Sequence, residues 1–354
     1  MTRARTSTRN EQGTCRRNQT FVMLPTDDSV SDAGSRSAVQ IGFFDSRNSP
    51  DLTGMMRVVR LARHLEDTYG TTARIIAHAI LFSRPTEAPA GMQVHLVDPR
   101  LHANHSLAHC LHARLRGLCH GPGAIYMWKP LAFLLLPVHI EHLLLIDTDI
   151  VPIQPLSRLW ASAAAFGPRS VIGISREQTS VYLPRGGANG GVALMHLARM
   201  RGEPEFTAHL DRIATGTKRY RIGYLGDQTF YTLLEREAPH LFHGLGCEWN
   251  RQISMHSGFG NATQHTCPHR CAMLHANYGS LKCIANRMQA SNASCATWRA
   301  LLAGGDINRC PNLTPKLSRR FTAGMALYFS ECCIGDTGAA HTGHEEDFVP
   351  GRTA

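Results

Sequence analysis

The stretch Leu143–Trp160 reads LLLIDTDIVPIQPLSRLW, and the rest of the chain is organised around it. Leu143, Leu144, Leu145 and Ile146 form a short unbroken apolar run, the pattern of a strand buried on both faces. Asp147 and Asp149 follow at once, with Thr148 between them. Pro152 and Pro155 then oppose a helix and predict a loop. If the chain stays extended there, alternate side chains point the same way, so both carboxylates would face one point at the strand end. Carboxylates are hard oxygen ligands suited to Mg²⁺ or Mn²⁺. In an open α/β sheet, ligands bind beyond the carboxyl ends of the strands. Taken alone, Asp-x-Asp is equally the start of an ordinary acidic loop. Motifs further along the chain bear on the choice.

Upstream, Val39–Phe44 reads as a first strand, ending in Asp45, Ser46 and Arg47. Met55–Tyr69 carries apolar residues at helical spacing, and Arg74–Phe82 and Val94–Val97 are further strand candidates. Strand, helix, strand at this spacing predicts parallel βαβ units. Leu107–Leu118 and Trp128–Leu136 read as helices. Downstream, Val171–Ser175 is another strand, delivering Arg176, Glu177 and Gln178. A Gly-rich loop over Arg185–Gly191 precedes the apolar run Val192–Met195; such a loop lets backbone approach a ligand closely, or is simply a flexible turn. Leu225-Gly-Asp-Gln228 opens a helix, with Asp227 in a position to cap it. Beyond residue 245 the chain is loop-rich and holds Trp249, Asn250, Gln252 and His275.

The chain has 354 residues, 43% of them hydrophobic, enough for a sizeable core in one large or two ordinary domains. Its formal charge is +10, part of it in the first stretch, where Arg3, Arg5, Arg9, Arg16 and Arg17 meet only Glu11. Aromatic residues are 7% and no RNA- or DNA-binding signature stands out, which argues against nucleic acid as a partner. Eleven cysteines, clustered late in the chain, leave at least one unpaired. Cys247 is expected to pair with Cys267, Cys271 or Cys283. Sequons begin at Asn18, Asn104, Asn261, Asn292 and Asn312, and with the cysteines they lean toward the lumen of the secretory pathway, endoplasmic reticulum or Golgi. The best apolar run, Leu131–Ile146, is interrupted by Pro137, His139, Glu141 and His142, so no membrane span or anchor is visible. The first residues lack the apolar core of a signal peptide, which leaves the cytoplasm open. Residues 1–37 read as a disordered basic tail, 38–330 as a single domain and 331–354 as a second disordered tail.

With these pieces in order, the sequence resembles glycosyltransferase family eight, retaining enzymes of the GT-A fold, and within it the xyloside α-1,3-xylosyltransferase group. The resemblance is carried by IDTD at 146–149, NGG at 189–191 where the family usually has Asn-Ser-Gly, LGDQ at 225–228, and LHANYGS at 274–280. It implies an α/β fold, a Rossmann-like, mostly parallel sheet flanked by helices with a loop-rich C-terminal part. It implies a UDP-sugar donor, xylose or a hexose, and a glycan or glycoprotein acceptor. Asp147, Asp149 and His275 would hold the metal; the histidine favours Mn²⁺ over Mg²⁺. Asn189, Gly190, Asp147, Ser46 and Lys282 would bind the donor. Asp227 and Gln228 would act beside the anomeric carbon, and Trp249, Asn250 and Gln252 would form an acceptor wall. Two other readings stay open here. One is a sugar-nucleotide nucleotidyltransferase, although FFDSRNSP carries no clear phosphate loop. The other is an inactive carbohydrate-binding relative, although no metal aspartate is missing.

Overall fold

The computed structural model describes residues 38–47, 50–98, 100, 103–115, 123–178, 187–215, 226–252, 267 and 271–277. The chain opens with strand β1 (Ala38–Asp45), helix α1 (Leu52–Thr68), and strands β2 (Arg74–Leu81) and β3 (Met92–Leu96). Helices α2 (Ala103–Leu115), α3 (Gly123–Tyr126) and α4 (Ala132–Leu135) lead to strand β4 (His142–Ile146). Next come β5 (Ile150–Pro152), α5 (Leu156–Ala161), β6 (Ile172–Arg176), β7 (Ala188–His196), α6 (Leu197–Gly202) and α7 (Pro204–Thr215). Helix α8 (Asp227–Glu237) and the short strands β8 (Phe242–Gly244), β9 (Arg251–Gln252) and β10 (Met273–His275) complete the described fold.

Seven strands form one sheet in the order β3-β2-β1-β4-β7-β6-β8. Only β7 runs antiparallel, against both β4 and β6; the other pairs are parallel. β4 lies in the middle and is buried on both faces, as its unbroken apolar run requires. Leu143 and Leu145 join the core beneath α2, α4, α6, α7 and α8. Leu144 and Ile146 join the opposite core, beneath α1 and α5. Helix α1 starts where Asp51 accepts a hydrogen bond from the Gly54 N–H at 2.9 Å, a side-chain N-cap. Its buried residues Met55, Val58, Val59, Ala62 and Leu65 recur at helical spacing.

Four local expectations are corrected. Trp128–Leu136 is not one helix: Lys129–Leu131 is a 3₁₀ turn followed by α4, because Pro130 lacks the N–H that a continuous α ladder needs there. Residues 188–191 are not a loop; they belong to β7. The aspartates are not on an extended strand. The Ile150 N–H donates to the Asp147 carbonyl at 3.2 Å, so a tight turn joins β4 to β5. Nor does Pro152 begin a loop, since it ends β5, an edge strand that tolerates the missing donor. A three-stranded sheet, β5-β10-β9, thereby sits at the carboxyl end of β4. Cys247, in the turn just before β9, pairs with Cys267.

Candidate active site

The turn after β4 brings Asp147 and Asp149 together, and β10 brings His275 to them. β10 pairs antiparallel with β5, placing His275 opposite Ile150, and the Ala276 N–H donates to the Asp149 carbonyl at 3.0 Å. One ligand atom from each of the three side chains lies within 4.8 Å of the others. His275 Nε2 is 3.6 Å from Asp149 Oδ1. Two ligands each roughly 2.1 Å from one ion stand at most about 4.2 Å apart, so this spacing fits a shared cation. His275 is buried, and burial pushes its imidazole down to about 4, leaving a neutral ring able to coordinate at neutral pH. Two carboxylates and an imidazole are a donor set suited to Mn²⁺.

A cation already stands beside this set. Lys129, 4% exposed, places Nζ 2.7 Å from Asp147 Oδ1, 3.2 Å from the Gly190 carbonyl oxygen and 3.6 Å from Asp227 Oδ2. Burial pulls the ammonium's pKa down, but Asp147 and Asp227 outweigh it and hold the pKa above the ordinary value. Asp227 sits in the first turn of α8, where Gly226 at φ 56° leads into the helix without a side-chain cap. Burial pushes the Asp227 carboxyl up to about 7, against the pull of Lys129 and with a further push from Asp147. Its Oδ2 is buried with no hydrogen-bond partner among the described residues. The exposed ring of Tyr126 lies 5.3 Å from Lys129 Nζ, a cation–π contact at the rim of the same cluster.

The glycines of β7 make room for this arrangement. A Cβ on Gly190 would stand 2.3 Å from Asp227 Oδ2, and one on Gly191 would stand 2.1 Å from His275 Cε1. Asp227 therefore fills space that a serine at 190 would need. Behind the glycines runs a buried chain of amides. Asn189, 1% exposed, donates from Nδ2 to Glu177 at 2.8 Å, and its Oδ1 accepts from the Gly191 N–H at 3.0 Å. Asn250 donates from Nδ2 to Asn189 Oδ1 at 2.9 Å, while its Oδ1 lies 2.9 Å from His275 Nδ1. Gln228 donates to Glu177 at 2.7 Å.

Asn250 and Gln252 do not present themselves to an acceptor in this structure, because both side chains are 0% exposed. Gln252 and Gln178 bond reciprocally: each carbonyl oxygen accepts the other's backbone N–H, at 3.2 and 3.0 Å. Both residues hold β9 against the end of β6. Trp249 is half-buried and packs on the core under α1 and α5. Ser46 follows β1 at the same end of the sheet as Asp147, because β1 and β4 run parallel in register. Lys282 lies outside the described residues. Lys129 and Glu177 were not assigned a role from sequence. The usable signal for Lys129 was a lone cation inside MWKPLAFLLL, a stretch otherwise apolar.

No model of a known protein family matches the chain. Human xyloside xylosyltransferase 1 is 32% identical over 143 residues, which cover 34% of this chain and 36% of that protein. The chain thus spans about a third of that relative's length. Mouse glucoside xylosyltransferase 1 is 24% identical over 285 residues, 70% of this chain and 68% of that protein. The crystal structure of mouse xyloside xylosyltransferase 1 in its apo form superposes with a TM-score of 0.51 at 20% identity, covering 68% of this chain and 98% of that one. The chain is similar in sequence to these xylosyltransferases and resembles glycosyltransferase family eight. Its fold is the GT-A fold expected for that family, an α/β sheet with helices on both faces. Among the described residues, no helix is long and apolar enough to cross a membrane.

Proposed function

We propose that the protein is a retaining, metal-dependent glycosyltransferase that moves xylose or a hexose from a UDP-sugar to a glycan or glycoprotein. The observation that carries this reading is the convergence of Asp147, Asp149 and His275 at the end of β4, with buried Lys129 beside them. A bound divalent cation, Mn²⁺ for this donor set, would stabilise the negative charge that builds on a departing diphosphate. Lys129 keeps a second positive charge at the same place, fixed by Asp147 and the Gly190 carbonyl. Ser46 and Lys282 are proposed to complete the donor site; Asn189 and Gly190 shape it from behind.

Asp227 and Gln228 are proposed to face the donor sugar. An amide is a poor nucleophile, so a stable glycosyl-enzyme on Gln228 is not expected. In a front-face displacement, the acceptor hydroxyl attacks on the side from which the phosphate leaves, and that phosphate oxygen takes the hydroxyl proton. Gln228, anchored through Nε2 on Glu177, would hold the sugar in place for this. We further propose the secretory lumen as the compartment. Support comes from the Cys247–Cys267 bridge and from Asn104, a sequon residue exposed on α2. A hydrolysis screen of UDP-sugars with and without Mn²⁺ tests the reading. Mn²⁺-dependent turnover of at least one donor is expected, and turnover of none would overturn it.

A further inference from the structure

Glu177 lies outside the ligand set, yet both His275 and Gln228 lead back to it. It is buried, one residue beyond β6, and its Oε2 receives both the Asn189 and the Gln228 amino groups, at 2.8 and 2.7 Å. A carboxylate accepts and does not donate. Asn189 must therefore turn its amino end to Glu177 and its Oδ1 the other way. The Gly191 N–H, a backbone donor 3.0 Å from that Oδ1, enforces the same orientation from the opposite side. Asn250 then has to present its amino end to Asn189, at 2.9 Å, which turns its own Oδ1 toward His275 Nδ1, also at 2.9 Å. An acceptor at that position demands hydrogen on Nδ1. Nε2 is left bare, facing Asp149 Oδ1 at 3.6 Å.

We propose that Asn250 is a positioning residue that fixes His275 in the tautomer with hydrogen on Nδ1, its own orientation imposed through Asn189 by the Glu177 carboxylate and the Gly191 N–H. This rests on reading Asp147, Asp149 and His275 as a cation site. The amide chain is polar from end to end, so no link can flip without breaking the next. The same carboxylate takes the amino end of Gln228, which turns the Gln228 carbonyl oxygen away from Glu177. One buried carboxylate thus orients a ligand nitrogen and the amide proposed to face the sugar. Partners that orient a ligating histidine are worth about ten- to a hundredfold in metal affinity.

The test uses the full chain. In metal-free protein labelled with ¹⁵N-histidine, long-range ¹H–¹⁵N spectra report the His275 tautomer, assigned by the signals lost in His275→Gln. Hydrogen on Nδ1 is expected; hydrogen on Nε2 would overturn the proposal. Mn²⁺ titration by electron paramagnetic resonance then compares wild type with Asn250→Leu. A folded Asn250→Leu that binds Mn²⁺ about ten- to a hundredfold more weakly is the expected result. Binding equal to wild type would overturn the proposal. If Asn250→Leu does not fold, the wild-type spectrum decides alone. Wild type that binds no Mn²⁺ would remove the cation reading and this inference with it.

Discussion

Two cations in this fold, one buried and one half-buried, meet opposite fates. Lys129 has two carboxylates and a carbonyl for company, and its pKa is held above the ordinary value despite burial. Arg201, on α6, donates to the carbonyl oxygens of Phe133, Leu136, Pro137, Val138 and Ile140, at 2.9 to 3.2 Å. Its guanidinium is pushed down to about 10, chiefly by burial, against a weaker pull from Glu141. Five dipoles satisfy geometry without matching charge; two carboxylates match charge. Arg201 gathers the chain leaving α4 and serves the fold. Lys129 keeps a charge inside a site that would handle a diphosphate.

The sharpest way to break that contrast is at the proposed metal ligands. Asp149→Asn should cut Mn²⁺-dependent turnover at least about a thousandfold, the several kcal/mol that a bound cation supplies. Asp147→Asn should do the same and also lower the melting temperature further than Asp149→Asn, since it strips Lys129 of its nearest anion. Near-normal turnover in either folded variant would dismiss the metal assignment. Gln228→Ala comes next, with turnover slowed roughly a hundredfold, about 3 kcal/mol for one lost polar contact at developing charge. A product of inverted anomeric configuration, seen by NMR, or a sugar trapped on the peptide holding Asp227 and Gln228, would overturn the retaining front-face reading.

On the other side of the comparison, Arg201→Leu should cost stability and leave turnover per folded molecule alone. Several charge-assisted hydrogen bonds vanish together, so a loss of about 2–4 kcal/mol in urea unfolding is expected. A changed kcat with unchanged stability would reverse the assignment of roles. The smallest effect concerns pH. The Asp227 carboxyl is raised to about 7 in the fold, from the ordinary aspartate value of 3.8. Between those values the folded protein holds a proton that the unfolded chain has released, so this group's contribution to stability falls as pH rises through the window. His275, lowered to about 4, works in the opposite direction, so the readout is the difference between wild type and Asp227→Asn. Metal-free Asp227→Asn should gain on wild type as pH rises from about 4 to about 7. Parallel stability curves would mean that Asp227 is ionised throughout.

Much of the fold was legible in the sequence because its signals are local. The run Leu143–Ile146 has no polar residue to expose, and strand–helix–strand spacing dictates parallel pairing. The strand β7 was harder, since Asn189, Gly190 and Gly191 look like loop residues. Their glycines answer to Asp227 and His275, which lie far along the chain. Asp147, Asp149 and His275 could be proposed as metal ligands because their residue types and motif order are distinctive. Lys129 could not, since its carboxylate partners are 18 and 98 positions downstream. Asn250 and Gln252, polar and next to a tryptophan, read as surface. Their burial depends on Asn189 and Gln178, more than sixty residues earlier.

The small sheet that carries His275 also sets an order of events during synthesis. Both aspartates leave the ribosome 126 and 128 residues before the histidine does. At roughly 5–20 residues per second, that interval is on the order of ten seconds. Lys129 emerges ahead of either aspartate, so Asp147 has its counter-ion available throughout the wait. The seven-stranded sheet is complete once Gly244 is made, whereas β10 is added to β5 only afterwards. A nascent chain would thus possess its main core before it possessed three ligands, and tight cation capture would mark a chain translated through residue 275.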